Sequence, residues 1–141
     1  MRIIGHRGCR NNQPENTIAA VTAAGPHVDM VEVDIQRCVS GEIVVFHDDT
    51  LDDLTDATGP VSQTTYSELS ALTINDSDEH IPTLAELIDA LPAGVGINVE
   101  LKHTGMVGDV MPLVTDIDEQ VIISSFEAEA LKPVIDTSVP T

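Results

Sequence analysis

The chain has 141 residues, the size of one domain, with 6 Lys+Arg against 24 Asp+Glu and a formal net charge of −18. That balance lacks the basic footprint that nucleic-acid binding requires, and it opposes docking on an anionic membrane. Cys9 and Cys38 are too few for a disulfide framework, three aromatic residues make no base-stacking platform, and no apolar run approaches the ~20 residues of a membrane span.

The first apolar run, residues 2–6, reads as a short buried strand ending at His6. Residues 7–13 are polar and contain Gly8, which makes them a loop. Pro14-Glu15-Asn16-Thr17 opens a helix with Glu15 in its first turn, where a carboxylate meets the positive end of the helix dipole. Gly25-Pro26 stops that helix. Residues 29–35 alternate Met30, Val31, Val33 and Ile35 with Glu32 and Asp34, a strand pattern. A turn at Ser40-Gly41 leads into a third strand, 42–46, ending at His47, so the two strands form a hairpin-like connection. Residues 48–60 read as acidic loop, 67–72 as a short helix and 76–80 as polar loop. Thr83 then caps a helix with Glu86 at the capping-box position; Leu84, Leu87, Ile88 and Leu91 follow at helical spacing and Pro92 ends it. A fourth strand (95–102), a helix (109–114), a fifth strand (120–124) and a helix (127–135) complete the order, and Val139-Pro140-Thr141 leads toward a sixth strand. Strands alternating with helices predict a single α/β domain over 1–141 with a largely parallel sheet. Strand-like residues begin at Arg2, so no leader is expected, and the expected location is cytoplasmic. The only lysines are Lys102 and Lys132. A high-salt cytoplasm explains this, because at about 1 M salt a Debye length of ~3 Å screens carboxylate repulsion; a merely acidic protein is the plainer alternative.

The ionisable residues gather at strand ends. His6 ends the first strand, Glu32 and Asp34 the second, His47 the third, and Glu100 and Lys102 the fourth. The carboxyl ends of strands are where (β/α) proteins assemble their sites. Residues i and i+2 of a strand share a face, so Glu32 and Asp34 point one way, as do Glu100 and Lys102. Three carboxylates converging on one rim repel unless a cation sits among them, and oxygen-only ligation suits Mg²⁺ or Ca²⁺. Two histidines supply an acid and a base, while Arg7 and Lys102 supply positive charge for phosphate oxygens. Taken singly, each group has a plain explanation: a satisfied polar residue, a solvated strand face, a same-face ion pair. Their joint occurrence points to the cleavage of a phosphate ester.

Gly5-His6-Arg7-Gly8, Pro14-Glu15-Asn16-Thr17, Val31-Glu32-Val33-Asp34, Phe46-His47-Asp48, Ile81-Pro82-Thr83-Leu84 and Asn98-Val99-Glu100-Leu101-Lys102 occur in an order that resembles the glycerophosphodiester phosphodiesterase family, and Ser124-Ser125-Phe126 fits it too. The resemblance covers essentially the whole chain. It implies a TIM-type (β/α) barrel, here incomplete with about five of its eight strands, that hydrolyses glycerophosphodiesters to glycerol 3-phosphate and an alcohol. It also implies roles. His6 and His47 are the general acid and base. Glu32, Asp34 and Glu100 ligate a divalent cation, Mg²⁺ or Ca²⁺. Arg7 and Lys102 bind phosphate, and Glu15 orders the metal side of the rim. The expected partner is a small glycerophosphodiester, with no nucleic acid and no stable membrane insertion. Self-association, or a partner chain completing the barrel, is a further expectation. The alternative is a non-catalytic remnant or assembly partner that keeps the metal- and phosphate-binding residues.

Overall fold

The computed structural model describes residues 1–9, 13–135 and 137–141; residues 10–12 of the loop expected at 7–13 lie outside them. The described strands are β1 (Ile4–His6), β2 (Met30–Arg37), β3 (Ile43–Val45), β4 (Gly96–Leu101) and β5 (Val121–Ser124). The described helices are α1 (Ile18–Ala24), α2 (Tyr66–Leu69), α3 (Leu84–Asp89), α4 (Val107–Val114) and α5 (Ala128–Ile135).

The strands form one sheet in the order β1-β2-β4-β5, with β1, β2, β4 and β5 all parallel. β3 is not a stave of that path. It folds back antiparallel on the last residues of β2, Ile35 to Arg37, as the short turn at Ser40-Gly41 leads one to expect. The parallel path therefore uses four of the five strands. β2 is long enough to serve both neighbours: its first six residues pair with β4 and its last three with β3.

Alternation along β2 and β4 divides the sheet into two faces. Val31, Val33 and Ile35, with Ile97, Val99 and Leu101, join residues of α1, α3, α4 and α5 in the main core. Glu32, Asp34, Asn98 and Glu100 occupy the other face, so the helices cover the apolar side and leave the polar side to the site. Thr83 starts α3 with the expected capping box: its hydroxyl accepts from the Glu86 N–H, and the Glu86 carboxylate accepts from the Thr83 N–H. No helix among the described residues is long and apolar enough to cross a membrane.

Three expectations need correction. The expected loop 48–60 does more than connect: its Leu51 joins Cys38, Val44, Phe46, Val61, Leu69, Ile74 and Ile81 in a second core, and bridges Thr50–Pro60 and Thr73–His80 close it. These apolar residues have no regular period, which is why the sequence hides them. β1 is not buried: Ile3 and Ile4 are half exposed, since β1 has a neighbour only on its β2 side among the described residues. Glu15 is not in the first turn of α1. Asn16, at φ +59°, breaks the helical path, and Thr17 is the N-cap, accepting from the Ala20 N–H.

Candidate active site

Strand register sets the geometry. His6 lies beside Glu32, and Asp34 beside Glu100, so adjacent parallel strands bring these side chains onto one face. One carboxylate oxygen from each of Glu32, Asp34 and Glu100 lies within 4.8 Å of the others. Oxygens sharing a Ca²⁺ at ~2.3–2.6 Å are separated by up to about 5 Å, so the three fit around one hard cation. Glu32 and Asp34 are only 5% and 1% exposed. Glu32 Oε2 accepts from the Arg7 N–H at 2.9 Å and lies 3.6 Å from His6 Nε2. Glu32 Oε1 is buried with no hydrogen-bond partner among the described residues. An orphaned carboxylate oxygen carries a desolvation penalty that a cation would relieve. The same burial pushes the Glu32 carboxyl up to about 7. The Arg7 N–H and its guanidinium oppose the rise, and the charges of Asp34 and Glu100 reinforce it.

The turn after β1 makes this possible. Arg7 and Gly8 both have positive φ, +54° and +84°. The Gly8 N–H donates to the Glu32 carbonyl at 3.2 Å, which folds the turn against β2 beside Glu32. A Cβ on Gly8 would lie 2.6 Å from that of Ala20, so only glycine allows α1 this close. Arg7 Nη1 donates to Glu15 Oε1 at 2.7 Å, and its Nε forms an ion pair with Asp34 Oδ2 at 3.2 Å without hydrogen-bond alignment. Glu15 thus lies behind the rim, where it shares Arg7 with the carboxylate trio.

His47 follows β3. The Phe46 N–H donates to the Asp34 carbonyl at 3.0 Å, so His47 begins one residue from a direct tie to the trio. Its Nδ1 lies 2.6 Å from Asp48 Oδ1, which leaves Nε2 for other chemistry. Lys102 follows β4, its N–H donating to the Ile35 carbonyl at 3.1 Å, and it borders a hollow with Glu100, Ser125 and Phe126. His6, Arg7, Glu15, Glu32 and Asp34 are therefore linked by hydrogen bonds and ion pairs, with a Glu100 oxygen within 4.8 Å of the other two carboxylates, while His47 and Lys102 are tethered to β2 through backbone.

Asn16 is a site residue that sequence reasoning missed. Its Nδ2 donates to Asp34 Oδ2 at 3.1 Å, and its Oδ1 accepts from the Asp34 N–H at 3.2 Å. One buried amide thus fixes both the backbone and the side chain of a trio member. The clue lies in the motif that includes Glu15, since asparagine tolerates the left-handed backbone better than most residues.

An α/β sheet that gathers three carboxylates on one face of its parallel strands, with histidine and arginine beside them, has the layout by which (β/α) folds assemble sites. The chain belongs to the glycerophosphoryl diester phosphodiesterase family, which it matches over residues 6–137. It is 33% identical to a glycerophosphodiester phosphodiesterase of Caldanaerobacter subterraneus, over 94% of this chain and 60% of that protein. It superposes with a TM-score of 0.86 on an Oleispira antarctica phosphodiesterase solved with the product sn-glycerol-3-phosphate, at 32% identity, over 93% of this chain and 60% of that one. A glycerophosphodiester phosphodiesterase of Agrobacterium tumefaciens gives 0.85 at 30% identity, over 96% of this chain and 63% of that one. The expected TIM-type α/β class is thereby borne out. The chain spans about half to three-fifths of the length of the bacterial curated relatives it matches.

Proposed function

We propose that this chain hydrolyses glycerophosphodiesters to glycerol 3-phosphate and an alcohol, with Mg²⁺ or Ca²⁺ held by Glu32, Asp34 and Glu100. The observation that carries this reading is the carboxylate trio, two of its members buried, with the Glu32 oxygen that has no hydrogen-bond partner among the described residues. The bound cation would supply Lewis-acid polarisation of a phosphoryl oxygen. His6 and His47 are the proton-transfer pair. One accepts the proton of the adjacent glycerol hydroxyl at a ring nitrogen as that oxygen bonds to phosphorus, and the other donates a proton to the departing alcohol oxygen; water then attacks the resulting cyclic phosphate, its hydroxyl going to phosphorus and its proton to the glycerol oxygen whose P–O bond breaks, which leaves glycerol 3-phosphate. Asp48 holds His47 Nδ1, so Nε2 is the working atom. Arg7 and Lys102 place positive charge toward the phosphate, Arg7 from within its pairing to Glu15 and Asp34. Asn16 keeps Asp34 in register with Glu100. The completeness of this set favours an enzyme over a non-catalytic remnant. The setting we infer is a salt-rich cytoplasm, supported by the net charge of −18 and the scarcity of lysine.

The test is release of glycerol 3-phosphate from a glycerophosphodiester by the purified protein. Turnover should vanish in chelator and return when Mg²⁺ or Ca²⁺ is added back. Undiminished turnover in chelator would remove the cation from the account.

A further inference from the structure

Gln36 lies two residues past Asp34 and four past Glu32, on the same face of β2. Here β2 has outrun β4, whose register ends at Ile35 with Leu101, and Gln36 instead pairs with Val44 of β3. The side chain is only 1% exposed. Its Nε2 donates to the Phe46 carbonyl at 2.9 Å and to the Asp48 carbonyl at 2.8 Å. Both N–H bonds of one amide are thus spent on the two carbonyls that flank His47.

We propose that Gln36 is the positioning residue for His47. β3 ends at Val45, so His47 lies outside any strand, helix or turn, with no ladder of its own to hold it. The Phe46 N–H fixes the chain before it to Asp34, and the Gln36 amide fixes the carbonyls on either side. With the backbone clamped, the contact from Asp48 Oδ1 to His47 Nδ1 sets the ring. β2 therefore carries the cation ligands Glu32 and Asp34 and also the group that aims the histidine, which locks ligands and imidazole into one frame. A methionine at position 36 keeps the length and loses both donors. A glutamate keeps the shape and turns a carboxylate toward two carbonyl oxygens.

The inference rests on the proposed proton transfer by His47, and its test separates the two. Gln36→Met, Gln36→Glu, His47→Ala and the Gln36→Met/His47→Ala double variant are compared for kcat, KM, cation affinity and the NMR signal of the His47 ring. Gln36→Met should lower kcat by ~10²-fold, the scale of a displaced catalytic group, with KM and cation affinity little changed. In the His47→Ala background it should cost nothing further, because it acts through that ring. An equal loss in both backgrounds, or a loss that appears in KM or cation affinity instead, would overturn the proposal. A wild-type rate in His47→Ala would refute the proton-transfer reading alone. The ring signal then still decides the clamp: the wild-type shift should collapse toward the free-histidine value in Gln36→Met and Gln36→Glu, and an unmoved signal in both would overturn it.

Discussion

Glu32 is the residue on which most of the chemistry converges. Its carboxyl, pushed up to about 7 by burial beside Asp34 and Glu100, must lose its proton before a cation can bind. Cation affinity should therefore weaken as pH falls through about 7, with protons released on binding below it, as calorimetry in buffers of different ionisation enthalpy would report. The same shift has a stability consequence. A raised carboxyl favours the folded state below the ordinary value of 4.5 and loses that contribution as pH rises through about 7. Glu32→Gln carries no charge to bury, so in chelator its melting midpoint should exceed wild type at pH 8 and match it near pH 4; a gap independent of pH would contradict this. His6→Ala and His47→Ala should each lower turnover by at least ~10²-fold in steady-state kinetics, the lower end for general acid–base groups. The shared face of Glu32 with Asp34 is legible in the sequence because strand alternation has a period of two, whereas the register that sets Asp34 beside Glu100 is not. Asn16 and Gln36 are not legible either, because their roles are hydrogen bonds to backbone atoms far along the chain, and no period records such bonds.

Elements are held by local chemistry that can be tested one piece at a time. The capping box of α3 joins Thr83 and Glu86 reciprocally, and Thr83→Ala should cost ~1 kcal/mol in urea unfolding. Gly8→Ala meets Ala20 at 2.6 Å while holding φ at +84°, and should cost ~1–3 kcal/mol as α1 is forced away from the turn. The order of strands and helices was readable because period-two and helical spacings are clear in β2, β4 and α3. The start of α1 was misplaced because Glu15 looks like a first-turn acid, yet its partner is Arg7, which no helical rule anticipates. The second core within 38–81 escaped notice because Leu51, Val61, Leu69 and Ile74 are isolated apolar residues among polar ones.

The whole molecule is governed by its charge. With a net charge of −18, self-repulsion opposes the compact state until ions screen it. The melting midpoint should rise from low to molar potassium chloride; a flat or falling midpoint would point away from salt adaptation. Within that acidic field, three carboxylates have oxygens within 4.8 Å of one another; two of the residues are buried, and one oxygen has no hydrogen-bond partner among the described residues. That a cation belongs there is the central claim. It is tested most directly by titrating Mg²⁺ or Ca²⁺ into the wild-type protein and into Glu32→Gln by calorimetry at pH 8 in high salt. One saturable site per wild-type chain is expected, and its loss or severe weakening in the variant, with both proteins folded. Equal binding by the two proteins, or none by the wild type, would contradict it.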